Sequence, residues 1–232
     1  MIKLKNLTKI YGNQTVLDIP DLKIEKGESF GLVGNNGAGK TTMFRCVLDL
    51  IRPTTGAVFS KDADVSKKEN WKLYTGSYLD DGFLIDFLTP EEYFRFIADV
   101  YGLSDGDITA FYSEFGDFFN NEVLGKKRLI RDLSSGNRQK IGIAAALISK
   151  PEIIILDEPF NSLDPTTQIR LKILLNALYK EKKITLLISS HDLNHITEVC
   201  NRIVVLHEGK IVHDLVTNQN TLTILEDYFA VH

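Results

Sequence analysis

The residues Gly34-Asn35-Asn36-Gly37-Ala38-Gly39-Lys40-Thr41 follow the spacing Gly-x-x-x-x-Gly-Lys-[Ser/Thr]. That pattern suits the phosphates of a nucleoside triphosphate. Backbone N–H groups can cradle clustered negative charge where a loop turns tightly, and glycine permits both φ > 0 and close approach. Lys40 supplies a point charge for the β- and γ-phosphates, and the Thr41 hydroxyl is placed to hold Mg²⁺. A second pair of chemically capable residues, Asp157-Glu158, closes the apolar run Ile153-Ile154-Ile155-Leu156. Carboxylates at the C-terminal end of a buried strand stand where open α/β sheets bind ligands. Such an Asp can orient a metal, and a Glu beside it can polarise a water for attack on a γ-phosphate.

These groups need elements to carry them. Ser29 to Val33 reads as a strand entering the glycine-rich loop, and Thr42 to Leu48 as a helix leaving it with its N-terminus toward the phosphates. Residues 2 to 33 are β-rich, punctuated at Gly12-Asn13 and Lys26-Gly27-Glu28. Arg52 to Gly56 is a turn before Ala57-Val58-Phe59, and the charged stretch 60 to 72 is expected at the surface. From about residue 80 the pattern becomes helical. Thr89-Pro90-Glu91-Glu92 predicts a capping box with proline in the first turn. Tyr93, Phe94, Ile97, Val100 and Tyr101 then recur at helical spacing, with Gly102 as the stop. Phe111, Tyr112, Phe115, Phe118 and Phe119 read as core ahead of a stripe for a base or partner, and Lys126, Lys127, Arg128 and Arg131 as a solvated basic face ahead of a nucleotide-facing one.

Ser134 to Lys150 predicts a helix with Ile141, Ala144, Ala145 and Ile148 on one stripe, stopped by Pro151. The unbroken Ile153–Leu156 run is what a parallel strand buried on both faces requires. Asp164-Pro165 starts another helix, carrying Ile169, Ile173, Leu174, Ala177 and Leu178. Leu186-Leu187-Ile188 is a further buried strand, and Ile203 to Val212 a closing hairpin around Glu208-Gly209.

The 232 residues and 44% hydrophobic content support an ordinary core, and the net charge of −4 gives no basic footprint for nucleic acid. Two cysteines, Cys46 and Cys200, make no disulfide framework and read as buried thiols in a reducing compartment. Met1 to Lys5 lacks the apolar core of a signal peptide, and no apolar run is long enough to span a membrane. Any membrane role therefore requires another chain as anchor.

With these motifs in order, the chain resembles the nucleotide-binding subunit of an ATP-binding-cassette (ABC) transporter. Leu133-Ser134-Ser135-Gly136-Asn137 is similar to the family signature Leu-Ser-Gly-Gly-Gln, Ser162-Leu163-Asp164 to its aspartate loop, and His191 in Ser189-Ser190-His191-Asp192 to its switch histidine. Tyr11 stands where the family stacks an aromatic on adenine. The resemblance runs from Tyr11 to His191, and Arg202 to Val212 is similar to the family's closing strands.

The resemblance implies a P-loop NTPase core with a mainly parallel sheet, an N-terminal antiparallel β subdomain and an inserted α-helical subdomain. It implies one ABC ATPase domain over 1–232, with the core at about 1–79 and 148–232 and the helical subdomain at about 80–147. Expected nucleotide contacts are Tyr11, Gly34, Asn35, Asn36, Gly37, Ala38, Gly39, Lys40, Thr41 and Thr42, with Ser134, Ser135, Gly136 and Asn137 facing the nucleotide of a partner. Thr41, Asp157 and Asp81 are the expected metal-side residues, Glu158 the general base and His191 the γ-phosphate contact.

The implied activity is Mg²⁺-dependent ATP hydrolysis in a head-to-tail dimer that drives export or translocation. A separate integral membrane permease would carry the cargo, and this subunit would lie on the cytoplasmic face. Tyr78-Leu79 and the short helical region after it resemble subunits of exporters with a separate membrane partner, which implies an ABC-2-type exporter. Three positions depart from the family pattern. Ser135 replaces a glycine where φ > 0 would strain it. Asn137 replaces Gln, and Asp81, with Asp80 as the alternative, stands in the place of a metal-contacting glutamine. The rival readings are a soluble ABC-type ATPase acting on ribosome or DNA, against which the acidic charge and the lack of a second cassette argue, and a P-loop kinase, which gives no reason for the signature before Asp157.

Overall fold

A computed structural model describes residues 1–231. In chain order the elements are β1 (Ile2–Tyr11), β2 (Gln14–Ile24), β3 (Ser29–Val33), α1 (Lys40–Val47), β4 (Thr55–Ser60), β5 (Ala63–Asp64) and β6 (Thr75–Tyr78). The helices α2 (Pro90–Val100), α3 (Asp105–Glu114), α4 (Gly116–Phe119) and α5 (Ser135–Leu147) follow. Then come β7 (Ile153–Leu156), α6 (Pro165–Lys180), β8 (Thr185–Ser190), α7 (Leu193–Val199), β9 (Arg202–His207), β10 (Lys210–Val216) and α8 (Thr221–Val231).

Two sheets form. A 4-stranded antiparallel sheet has the order β2-β1-β4-β5, and a 6-stranded sheet has the order β10-β9-β3-β8-β7-β6. Only the β9–β10 hairpin is antiparallel in the second sheet. Period-2 geometry explains the unbroken apolar run of β7. Ile154 and Leu156 pack on one face among the helices α2 to α7, while Ile153 and Ile155 pack on the other with α1 and the antiparallel sheet. Strands buried on both faces leave no position for polar alternation.

The helix-start signals act as the sequence predicts. Thr89 caps α2 in a reciprocal capping box with Glu92, and Pro90 occupies the first turn. Gly102 takes φ +67° after that helix. Ser134 caps α5 and Asp164 caps α6. The aromatic stripe is core: Phe94 and Phe111 lie 5.1 Å apart edge-to-face, and Phe111 and Phe115 lie 4.7 Å apart.

Several sequence expectations are corrected. The stretch 60 to 72 is not uniformly exposed, because Val65 and Trp71 are buried and the Trp71 indole donates to the Val65 carbonyl at 3.1 Å. Val100, at the end of α2, is exposed, as are Ile169 and Ile173 on α6. Helical periodicity marks a stripe but not how much of it a neighbour covers, and α6 buries only its Leu171, Leu175 and Leu178 side. Ser135 carries no strain: it is the first residue of α5 and has no positive φ.

Candidate nucleotide site

Register places the chemistry on one edge. Val33 pairs with Ser190 across β3 and β8, and Leu156 pairs with Ile188 across β7 and β8. The residues that follow β3, β7 and β8 therefore emerge together, and they are Gly34, Asp157 and His191. The sheet thus delivers three segments distant in sequence to one ligand-binding edge.

The glycine-rich loop is held by backbone demands that only glycine meets. Gly37 and Gly39 have φ of +85° and +107°. A Cβ on Gly34 would lie 2.3 Å from the Leu206 carbonyl oxygen. The Ala38 N–H donates to Asn35 at 3.0 Å, and Ala38 in turn accepts from Gly209 at 3.0 Å. Asn35, Asn36 and Gly37 stay exposed at the loop's outer turn, while Lys40 is buried. Thr41 and Thr42 follow Lys40 in the first turn of α1. The Lys40 ammonium donates to the Gly34 carbonyl at 2.6 Å and lies 3.3 Å from Glu158 Oε1.

Asp157 is buried and accepts from both the Thr41 and the Ser189 hydroxyls. Burial pushes its carboxyl above the usual carboxylate range, opposed by those two hydrogen bonds. A hard divalent cation suits such a site. Mg²⁺ takes one or two carboxylates and hydroxyls from a protein and completes its shell with water and phosphate oxygens. The donor set Thr41 plus Asp157 fits that habit, and among the described residues no cluster of three His, Cys, Asp or Glu forms a closed metal cage.

Glu158 adopts φ +48°, rare for a residue with a side chain, and its backbone is pinned at both ends. Its N–H donates to Ser189 Oγ at 2.9 Å, and its carbonyl accepts from Gln139 Nε2 at 3.2 Å. The carboxylate then reaches Lys40 with one oxygen and His191 with the other, at 2.9 Å from Nδ1. Lys40, Asp157, Glu158 and His191 are therefore one connected group, together with Thr41.

The remaining sequence candidates sit elsewhere. Tyr11 is half exposed near the β1–β2 turn, with the Lys9 ammonium 4.8 Å over its ring. That hairpin meets the phosphate loop, since a Cβ on Gly39 would lie 2.8 Å from the Val16 carbonyl oxygen. Ser134, Ser135, Gly136 and Asn137 form the first turn of α5 and its cap, and a Cβ on Gly136 would lie 2.6 Å from the Ser162 carbonyl oxygen. Ser134 and Asn137 line a cleft of about 480 Å³ rimmed by Lys126 and Arg128. Asp81 does not join Thr41 and Asp157. Its oxygens accept from the Tyr78 hydroxyl and from Arg138 Nε at 2.7 Å.

Ser189 and Gln139 are contacts to which the sequence reading gives no role. Ser189 lies in the segment quoted around His191, as the first polar residue after the apolar run of β8, and nothing local singles out Gln139.

Fold and site define a P-loop nucleotide-binding ATPase. The ABC transporter family profile matches residues 17–161. The bacitracin transport ATP-binding protein BcrA of Bacillus licheniformis is 32% identical over 100% of this chain and 80% of its own length. The lantibiotic transport ATP-binding protein SrtF of Streptococcus pyogenes is 32% identical over 91% of this chain and 89% of its own length. A dimeric post-hydrolysis state of the ATP-binding cassette MJ0796 bound to ADP and Pi superposes with a TM-score of 0.84 at 26% identity, covering 94% of this chain and 99% of that one. The chain belongs to the ABC transporter family, as an ATP-binding, ATP-hydrolysing subunit. Among the described residues no helix is long and apolar enough to cross a membrane.

Proposed function

We propose that this subunit hydrolyses ATP with Mg²⁺ at a head-to-tail dimer interface and drives export through a separate permease of the ABC-2 type. The observation that carries the reading is the connected group of Lys40, Thr41, Asp157, Glu158 and His191 on one sheet edge. Lys40 and the loop N–H groups of Gly34 to Thr42 hold the phosphates. Thr41 and Asp157 would hold Mg²⁺, which when bound would supply positive charge against the phosphate oxygens. Glu158 takes the proton of the attacking water, whose oxygen bonds the γ-phosphorus as the bond to ADP breaks. His191 donates to the γ-phosphate and orients Glu158, and Tyr11 stacks on the base.

Ser134 to Asn137 serve the nucleotide held by the partner. An uncovered helix N-terminus with a hydroxyl, opening on a cleft with two cations, suits a phosphate group. The segment of about 80–147 acts as a helical lobe on a core of about 1–79 and 148–232. A second cleft, of about 300 Å³, is lined by Leu48, Leu50, Leu79, Phe83 and Tyr101, and three of these are exposed large apolar residues. It suits a short amphipathic helix of the permease on the cytoplasmic face of the membrane.

Lys40→Ala and Ser134→Arg proteins are each expected to lose turnover alone and to regain part of it on mixing. The heterodimer holds one intact site and one doubly damaged site. Heterodimers that form, as seen by native mass measurement, without any return of ATPase activity would rule out the composite site.

A further inference from the structure

Asp80 and Asp81 are adjacent acids at the point where the chain leaves β6, and they pair in opposite directions. Asp80 meets Arg45 of α1 at 3.3 Å and accepts from the Gly82 N–H at 2.8 Å. Asp81 meets Arg138 of α5 at 2.7 Å. The segment that joins the sheet to the helices is therefore tied by one carboxylate to the phosphate-loop helix and by the next to the signature helix.

The second tie continues further. Arg138 Nη1 donates to the Leu133 carbonyl at 2.9 Å, the residue before the cap Ser134. One guanidinium thus spans from Asp81 to the turn that presents Ser134. On the other side, Asp81 Oδ1 accepts from the Tyr78 hydroxyl at 2.5 Å. Tyr78 is buried, and burial together with Asp81 pushes its phenol far above the ordinary range, so it stays a donor. Its ring lies against Gly142 of α5, where an added Cβ would fall 2.1 Å from Cε2. Its carbonyl accepts from the Asp157 N–H at 3.0 Å. An unbroken path of contacts therefore runs from Asp157 through Tyr78, Asp81 and Arg138 to the carbonyl beside Ser134.

We propose that Asp81 and Arg138 are positioning residues: their ion pair sets the attitude of the Leu133–Ser134 turn relative to the Asp157 edge, so that Ser134 meets the partner's nucleotide in register with the metal side of its own site. The inference rests on the composite-site reading above and goes beyond it, because it assigns Asp81 to the signature turn instead of to the metal. Arginine suits the task. Its planar fork uses Nε for the carboxylate and Nη1 for the carbonyl at once, which a lysine cannot reproduce in that geometry. Arg138 and Asp81 are each about a third exposed, so the pair can part and re-form.

The test uses Asp81→Asn, Arg138→Gln and the double variant in the full chain. Asparagine keeps an oxygen for Tyr78 and removes the charge that holds Arg138. Amide hydrogen exchange should quicken several-fold over residues 133–137 in each single variant. ATP affinity should stay within about twofold, and kcat should fall about five- to tenfold, with the double variant no slower than the worse single one. The Mg²⁺ concentration for half-maximal ATPase activity should match that of the native protein. Arg138→Lys should fail to restore kcat.

Unchanged exchange at 133–137 overturns the clamp whether or not the protein turns over. A raised Mg²⁺ requirement for Asp81→Asn overturns the assignment in favour of a metal contact, and additive losses in the double variant overturn the pairing. Heterodimers of Lys40→Ala and Ser134→Arg that regain no ATPase activity would instead count against the composite-site reading, and the exchange measurement would still decide the clamp.

Discussion

Glu158→Gln should tighten ATP binding while abolishing hydrolysis. In the structure the Glu158 carboxylate lies 3.3 Å from the Lys40 ammonium, and both are largely shielded from water. At an effective dielectric constant of about 20, two unit charges at that separation attract by roughly 5 kcal/mol before desolvation is subtracted. An arriving γ-phosphate must share Lys40 with this carboxylate and also bear its repulsion. A glutamine of nearly the same shape keeps a weaker, neutral contact with Lys40 and removes the repulsion. A charge-assisted hydrogen bond contributes about 1.5–3 kcal/mol and a neutral one about 0.5–1.5, so the difference returned to the nucleotide is about 1–2 kcal/mol. That corresponds to about fivefold to thirtyfold in Kd. The assay is equilibrium titration of a fluorescent ATP analogue with Mg²⁺ present, on native protein, Glu158→Gln, Lys40→Ala and the double variant. The gain should shrink in the Lys40→Ala background, because the competition for that ammonium is gone and only the relief of carboxylate–phosphate repulsion is left. Equal or weaker affinity in Glu158→Gln, or a gain undiminished without Lys40, would refute the reasoning.

Gly142→Ala should lower stability, because its Cβ would meet the Tyr78 ring at 2.1 Å with α5 already seated on β6. Overpacking of this kind costs about 1–3 kcal/mol, or about 2–4 °C of melting temperature for each kcal/mol, and calorimetry that finds no loss would contradict the close approach. Cys46 and Cys200 should not react with a thiol reagent at pH 8 until the chain unfolds, since burial raises their thiols to about 11 and about 12. The folded values lie above that of an exposed thiol, 9.0, because burial penalises the thiolate. Stability is therefore unaffected by these thiols below pH 9.0 and falls as pH rises from there toward about 12. Cys200→Ala should flatten the alkaline loss of stability in denaturant titrations, and an unchanged alkaline limb would count against it.

What the sequence determined was local or contiguous. The phosphate loop needs eight adjacent residues in one order, so its glycines, Lys40 and Thr41 were visible without knowing any neighbour. The Thr89 capping box and the two-sided burial of Ile153–Leu156 were visible for the same reason, because a cap spans one turn and a strand repeats every two residues. Tertiary structure decided which side chains meet. The Lys40–Glu158 and Asp157–Ser189 contacts join segments far apart in the chain, and strand register alone brings them to one edge. Asp81 has the charge for a metal, and the seat of α5 on Tyr78 also brings Arg138 within reach of it, a contact that nothing local in the sequence announces. Ile169 and Ile173 have helical spacing with their apolar neighbours, yet they remain exposed. Periodicity fixes the direction in which a side chain leaves its own helix; what it meets there depends on the placement of other segments, and no local pattern encodes that placement.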